Sequence, residues 1–484
     1  MDPIIINCRD GRAVGLRHPA GDAELERLIE LNLSVHGEGV AALCRVLRSD
    51  YPGMGLDDWY GAYDEATGRA LSTICRIPTA WSYSGAGASV AIPAAELSIV
   101  SSAEDARGLG LSSALIKRYE DDSRRLGFPL STIEGIPYYY RRFGYEYAAP
   151  LCVQLRLSPR LAPWVASKES PSWRSASPRP GAREAAMAAA VALSPTFRDA
   201  EPGDAEPGDA EPGDAYLLSR LYESDAAAYG VSAQRRADDW AYLLSGAQRS
   251  PETAVRRRIA MVGARAVGYL GTAPDGFGPG HAVLEAAVEP GLPPAEAAAV
   301  AAALLAEAER LRAEAGAAHL VVSLGRGHPV ARLALELGAD DRWEYGWQVS
   351  VIDPLAFARL AAPVLEARLG ASAWAGRPFA LRLRLFGPSL SFRWDGRRLA
   401  VGDGGEPAAQ DPSGEGATES AASARDGYDA SAALPPELLG PLALGYRSVA
   451  ELRRLRHDLS AYGEAEDFLG ALFPTVDAHV HQFI

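Results

Sequence analysis

A strand–helix–strand–helix–strand order, met twice, constrains this chain more than any other feature. From Pro93 to Ser101 the run Ala-Ala-Glu-Leu-Ser-Ile-Val grows richer in β-formers towards its end and reads as a strand. Helical spacing follows, with Leu111, Leu115, Tyr119 and Leu126 on one side and Gly127 placed to stop the helix. Phe128–Ile133 is the next strand, Pro137–Arg142 a short helix and Tyr145–Ala149 a closing strand. The order returns later. Val283–Val288 is a strand, and Pro294–Ala315 is an Ala-rich helix opened by proline and followed by Gly316. Then come a strand His319–Leu324, a helix Val330–Leu337 stopped by Gly338, and a strand Trp347–Ile352. Such alternation specifies an α/β fold with helices flanking a sheet, and its recurrence implies a duplicated unit. Tyr63 and Ala70–Pro78 suggest further strands before the first copy.

After Asp353 the pattern changes. Phe357–Leu369 is an amphipathic helix, and Phe379–Phe386 alternates, with Leu381, Leu383 and Leu385 inward and Arg382 and Arg384 outward. Asp395-Gly396 suits a tight hairpin. Two helices are expected from Pro436 and from Ser448, and the end, Ala478–Ile484, reads as a surface strand. This third block is α+β with a solvated sheet edge. At 484 residues, roughly three domains is the natural prior. The boundaries are 1–150, 151–352 and 353–484. Three stretches lack the apolar surface that offsets ordering entropy: 167–181, 402–433, and 201–215 with its three copies of Glu-Pro-Gly-Asp-Ala. They predict a disordered insert over about 167–215 and a mobile loop over 402–433.

Composition excludes several classes. The formal net charge of −14 repels phosphate backbones and attracts cations, so a nucleic-acid partner is not expected and a cationic substrate fits. No run of ~18 apolar residues exists to span a membrane, and the start lacks a basic and apolar leader, so a cytoplasmic location is expected. Cys8, Cys44, Cys75 and Cys152 are far apart and read as reduced, buried thiols. His479 and His481 alternate on what reads as a surface strand, and no metal site is expected.

The chemistry concentrates in Arg107-Gly108-Leu109-Gly110-Leu111-Ser112-Ser113, which follows a strand and opens a helix. Such a loop directs unpaired N–H groups, with the positive helix end behind them, at one spot where a pyrophosphate fits. Spacing alone equally allows a plain tight turn. A G-x-G-x-x-G spacing is absent, as is the lysine-serine pair of a P-loop. The segment resembles the acyl-CoA loop of the GNAT superfamily, Arg/Gln-x-x-Gly-x-Gly/Ala, on Arg107, Gly110 and Ser112, with Ser112 a small residue in place of Gly/Ala. The stretch 101–106 departs in being longer and lacking proline. Glu134-Gly135-Ile136-Pro137-Tyr138-Tyr139-Tyr140-Arg141-Arg142-Phe143-Gly144-Tyr145 resembles the ending of GNAT domains, and in particular the enhanced intracellular survival type of aminoglycoside and lysine acetyltransferase. Leu-Gly-Tyr-Arg-Ser at 444–448 and Leu-Phe-Pro at 472–474 also look familial.

The resemblance implies two GNAT-like units, each a mixed central sheet with flanking helices, then a sterol-carrier-protein-like α+β domain. It implies an N-acetyltransferase that moves the acetyl group of acetyl-CoA to a primary amine of an aminoglycoside, polyamine or lysine, without a metal, and a homo-oligomer. Tyr140 aligns with the family's proton donor, with Tyr139 as the alternative. The base is either the C-terminal carboxylate, here Ile484, or Glu96 in the motif strand. Backbone amides of Ser98, Ile99 and Val100 polarise the thioester carbonyl. Arg107, Gly108, Leu109, Gly110, Leu111 and Ser112 hold the pyrophosphate, and Ile133 and Glu134 flank the pantetheine arm. Trp59 and Trp81 are candidates for an amine pocket. At the equivalent place in the second unit, Val288–Pro294 carries prolines where donors are needed, so no acyl-CoA site is expected there. Arg256–Arg258 reads as a solvated strand start. A rival class is a decayed GNAT scaffold or lipid-binding protein that uses the third block.

Overall fold

The computed structural model describes residues 4–157, 193, 195–202, 213–274, 280–405 and 427–481. The first part comprises β1 (Ile4–Asn7), β2 (Ala13–Arg17), α1 (Asp22–His36), α2 (Glu38–Asp50), β3 (Trp59–Asp64), β4 (Ala70–Gly85), β5 (Ala88–Ser102), α3 (Leu111–Arg125), β6 (Leu130–Ile133) and β7 (Glu146–Leu157). β4 and β5 form one long hairpin, well beyond the expected 70–78 and 93–101. Its two-residue turn is Ala86 and Gly87, both at positive φ. Alanine at the first of these positions hides the usual Asn-Gly or Gly-Gly signal. Leu126 is 61% exposed rather than on the buried side of α3, because it lies past the last turn.

The middle part adds β8 (Thr196–Asp199), α4 (Asp214–Ala226), β9 (Val231–Ala233), α5 (Ala237–Leu244), β10 (Arg256–Val262), β11 (Arg265–Ala273), β12 (His281–Val288), α6 (Pro294–Glu314), β13 (Leu320–Val322), α7 (Pro329–Glu336) and β14 (Asp340–Val351). Of the insert expected to be disordered over 167–215, residues 167–192 lie outside the described residues, but β8 within it is an ordered strand paired with β10. The 201–215 stretch is not loop to its end: Asp214 opens α4, accepts from Arg198 at 2.5 and 2.6 Å and from the N–H of Glu201 at 2.8 Å.

These strands make one mixed sheet in the order β1-β2-β3-β4-β5-β6-β14-β7-β13-β12-β11-β10-β8. The closing strands are exchanged: β14 pairs with β6 at Gln348↔Ile133, and β7 pairs with β13 at Leu157↔Leu320. Because β14 and β7 also pair with each other, neither half of the sheet closes on its own residues. β9 pairs antiparallel with β4 at Trp81–Tyr83.

The last part is α8 (Pro354–Gly370), β15 (Phe379–Arg384), β16 (Ser389–Trp394), β17 (Leu399–Asp403), β18 (Ala430–Ala433), α9 (Leu439–Ala443), α10 (Val449–Leu455), α11 (Glu464–Leu472) and β19 (Ala478–His479). Three helices stand where two were expected, and strands occupy both margins of the 402–433 stretch. Residues 406–426 of it lie outside the described residues. Leu381, Leu383 and Leu385 are buried as the alternation requires. Trp374, Phe379 and Phe468 fill this core with ring centroids 4.7–5.0 Å apart. The block is fastened to the β4–β5 hairpin by Arg368, which donates to the Tyr83 hydroxyl at 2.6 Å and to the carbonyls of Leu472 and Ser84 at 3.0 and 2.9 Å.

Candidate active site

β5 is held on both sides only near its middle. β6 runs parallel to it at Ala94, Ala95 and Glu96, then ends at Ile133, whereas β5 continues to Ser102 with β4 alone. Past Glu96 the two strands part, and the β6-facing backbone of β5 has no strand partner among the described residues. In this stretch β5 bulges: Cys75 faces Ser98 and Thr73 faces Ser101, so Ile99 and Val100 together oppose Ile74. Ile99 sits at φ 51, in the left-handed region that a β-branched side chain disfavours. Strain of this kind persists only where the surroundings impose it, and it gathers at functional sites. Here α1 supplies part of the restraint, since Ser101 donates to the Asn32 side-chain oxygen and a His36 ring nitrogen lies 3.4 Å from the Val100 carbonyl.

The loop from Ser102 to Leu111 makes one 3-10 turn at Glu104–Ala106 and then bends twice, at Gly108 (φ 81) and Gly110 (φ 79). Both glycines need this left-handed backbone, and a Cβ at either would project into open space. The departure at 101–106 has a mechanical counterpart. Asp105 is gripped by Arg69 at 2.8 and 2.9 Å and by Arg12 at 3.1 Å, which braces a turn that lacks proline. The N–H groups of Gly110, Leu111, Ser112 and Ser113 have no acceptor among the described residues; the first helical bond runs from Ala114 to the Gly110 carbonyl. Ser112 turns inward, with its hydroxyl 2.7 Å from that of Ser102 and 3.2 Å from that of Ser72, so it does not obstruct the mouth of the loop. Arg107 is exposed beside it.

Glu96 lies mid-strand rather than at a strand opening, 3% exposed. It makes no hydrogen bond to the described residues, and burial pushes its carboxyl up to about 8. Tyr51 and Tyr242 feel its charge, and their rings meet edge to face at 5.0 Å. Tyr140 comes from the 3-10 turn Tyr139–Phe143, beyond the end of β6. Its ring lies so close to Gly135 that a Cβ there would stand 2.2 Å from it. Burial raises the Tyr140 phenol above its ordinary range, so it stays protonated. Its hydroxyl has no partner among the described residues, whereas the Tyr139 hydroxyl accepts from Arg142 at 2.8 Å. That difference separates the two tyrosines. Ile133 is buried at the end of β6 and Glu134 is half-buried after it; Gln348 of β14 donates to the Gly135 carbonyl at 2.8 Å and holds this exit.

Several expectations are corrected. Trp59 is fully buried in the core, and Trp81 is buried edge-on against Trp347 at 5.7 Å, so neither offers a pocket wall to solvent. Arg256 is exposed, but Arg257 is buried: with Arg235 it clamps the buried Glu285 at 2.7–3.1 Å, which holds that carboxyl well below its usual range. Arg258 is mostly covered and bonds Glu307. His479 and His481 are on no surface. The tail packs parallel to β9, Trp347 donates to the Val480 carbonyl at 3.1 Å, and the two imidazoles lie 4.1 Å apart against Tyr229 and Tyr222. Burial lowers His479 to about 4 and His328 to about 3. The surface reading failed because two histidines and a valine alternate alike on exposed and on enclosed strands. Ile484 lies outside the described residues. Pro293 and Pro294 stand at the start of α6, where α3 has free donors.

Sequence reasoning missed Asn32, Tyr51, Tyr242 and Gln348. Each reaches the site from a distant segment, and no local spacing marks it. Arg142 lies within the segment Glu134–Tyr145, but its position there marks no role from sequence alone.

Residues 19–148 match the model of a family described as an acetyltransferase (GNAT) domain. The whole fold is similar to that of a GCN5-related N-acetyltransferase from Kribbella flavida, at 15% identity and a TM-score of 0.62, covering 97% of this chain and 98% of that one. It is likewise similar to a GCN5-related N-acetyltransferase from Anabaena variabilis ATCC 29413, at 14% identity and a TM-score of 0.62, covering 97% and 100%. Eis1 from Mycobacterium abscessus follows at 15% identity and a TM-score of 0.55, covering 97% and 99%. No curated protein sequence matches the chain.

Proposed function

We propose that the chain is an N-acetyltransferase that takes acetyl-CoA as donor and a primary amine of a cationic acceptor, such as an aminoglycoside, polyamine or lysine, as the second substrate. One observation carries the reading: a splayed, bulged strand leads into a doubly left-handed glycine turn whose N–H groups open a fifteen-residue helix, and these N–H groups, the Glu96 carboxyl and the Tyr140 phenol have no hydrogen-bond partner among the described residues. A diphosphate suits the N–H groups of Gly110–Ser113 because they are donors without acceptors at the positive end of a helix. The gap between β5 and β6 suits an extended pantetheine arm, with Ile133 and Glu134 on its β6 side.

In this scheme the acceptor loses a proton and its nitrogen lone pair attacks the thioester carbonyl. Negative charge gathers on the carbonyl oxygen, where N–H groups of the Ser98–Val100 bulge stabilise it. Collapse breaks the carbon–sulfur bond as Tyr140 gives its proton to the leaving sulfur, and the surplus proton on the new amide nitrogen returns to the Tyr140 phenolate, directly or through water. Glu96 is our first choice for the base, because a carboxyl poised near neutrality can accept the amine's proton, directly or through water. The carboxylate of Ile484 is the alternative, favoured by the buried path of the tail at His479–His481.

Calorimetric titration with acetyl-CoA tests the reading. Micromolar binding by the wild type, lost in Gly110→Glu, is expected, since that change puts a carboxylate and a strained φ at the diphosphate position. No binding by the wild type would overturn it.

A further inference from the structure

We propose that Arg142 is the cation that recognises the diphosphate of the donor, acting beside the N–H groups of α3. This rests on the acetyl-CoA reading above. Arg142 follows Tyr140 by two residues, and its Nη2 lies 3.4 Å from the Ser113 hydroxyl, so the guanidinium stands at the first turn of α3. It is held there by aromatic rings: its Cζ lies 4.3 Å from the Tyr139 centroid and 4.7 Å from that of Phe143, while one N–H donates to the Tyr139 hydroxyl at 2.8 Å. Rings over its face fix the plane of the fork and leave edge donors free.

The surrounding arginines sharpen the choice. Arg12 and Arg69 bond Asp105; Arg118 and Arg125 bond Asp122; Arg124 bonds Asp121; Arg141 bonds Glu146. Arg142 has no carboxylate partner among the described residues, in a chain with 62 acidic side chains against 48 Lys and Arg. A preorganised guanidinium that escapes neutralisation, one contact from four unpaired N–H groups, is built for a bidentate anion. Arg107, from the motif, also has no carboxylate partner among the described residues and is exposed as Arg142 is, but no aromatic ring among the described residues orients it. Arg142 therefore makes the site distinguish phosphate-bearing donors from simple thioesters.

Steady-state rates and calorimetry on the full chain, for wild type, Arg142→Ala and Arg142→Lys, test this with acetyl-CoA, acetyl-dephospho-CoA and S-acetylpantetheine. Arg142→Ala is expected to raise KM and Kd by roughly 10–100-fold for both phosphate-bearing donors, with kcat little changed. S-acetylpantetheine should be used equally well by wild type and variant, and Arg142→Lys should recover only part of the loss. Unchanged acetyl-CoA affinity in Arg142→Ala would overturn the inference, as would an equal loss with S-acetylpantetheine, which would mean that Arg142 only supports Tyr139 and Tyr140. A wild type that binds no CoA would instead overturn the donor reading, and this inference with it.

Discussion

Replacing Glu96 with glutamine should move stability and activity in opposite directions. The carboxyl is buried without a hydrogen-bond partner among the described residues and is raised to about 8, against an unfolded value of about 4.3. Between those values the unfolded chain has released the proton and the native chain has not, so wild-type stability falls as pH rises through that window. At about 1.36 kcal/mol per pH unit, the loss between pH 5 and pH 8 comes to about 3–4 kcal/mol. Glutamine cannot titrate, so the Glu96→Gln variant should gain that amount relative to wild type over the same interval, whatever the fixed cost of the new amide. Urea unfolding of both proteins at pH 5 and pH 8 measures it. Activity should go the other way, with kcat/KM falling roughly 10²–10⁴-fold. A wild-type profile limited by this group rises about fivefold between pH 7 and pH 8, as the ionised fraction goes from about a tenth to a half. A stability difference that does not change with pH would refute the raised carboxyl. Near-normal turnover of the variant would pass the base role to Ile484, whose removal should then abolish activity.

Tyr140→Phe is expected to lower kcat by roughly 10²-fold with CoA affinity unchanged, and full turnover would reject it as the acid. Gly135→Ala, which drives a Cβ into the Tyr140 ring, should reproduce the kcat loss without touching the diphosphate loop; calorimetry alongside rates separates the two. Arg257→Ala leaves the buried Glu285 short of a cation and should cost about 3–5 kcal/mol in urea unfolding; a cost below about 1 kcal/mol would deny the clamp its structural role. His479 is lowered to about 4 against about 6.5 unfolded, so its contribution is intact above pH 6.5 and is lost as pH falls towards 4. His479→Gln should therefore remove about 2 kcal/mol of the wild type's stability loss between pH 7 and pH 5, and parallel unfolding curves at the two pH values would contradict the burial.

What the sequence made legible is the set of features that short-range physics decides. The helix α3 was readable because its apolar spacing, its opening glycines and Gly127 lie within twenty residues of one another. The donor loop was readable because left-handed bends demand glycine, and two glycines before a helix leave a visible mark. The long β4–β5 hairpin was only half visible because its turn uses Ala86 where glycine or asparagine would have announced it. Arg257 looked solvated because a run of three arginines gives no hint that the middle one faces Glu285, twenty-eight residues on. The tail histidines looked exposed because nothing local reports that β9 and Tyr222 cover them.

The exchange of closing strands explains why the two sides of the site differ so much in legibility. Donor-side parts, the bulge and the glycine loop, come from one continuous segment, Glu96–Ser113, and are held by α1, β4 and the Arg12 and Arg69 side chains on Asp105. The opposite side is assembled from afar. β14 enters between β6 and β7, and its Gln348 donates to the carbonyl of Gly135, the residue whose missing Cβ makes room for the Tyr140 ring. α5 brings Tyr242 against Tyr51 over Glu96, and β9 carries the buried tail past Trp347. A first half folded alone would keep its donors for a diphosphate but would lack the enclosure that raises Glu96 and the strand that fixes Tyr140. The second half, though its α6 opens with two prolines, is therefore a structural condition for the chemistry proposed in the first.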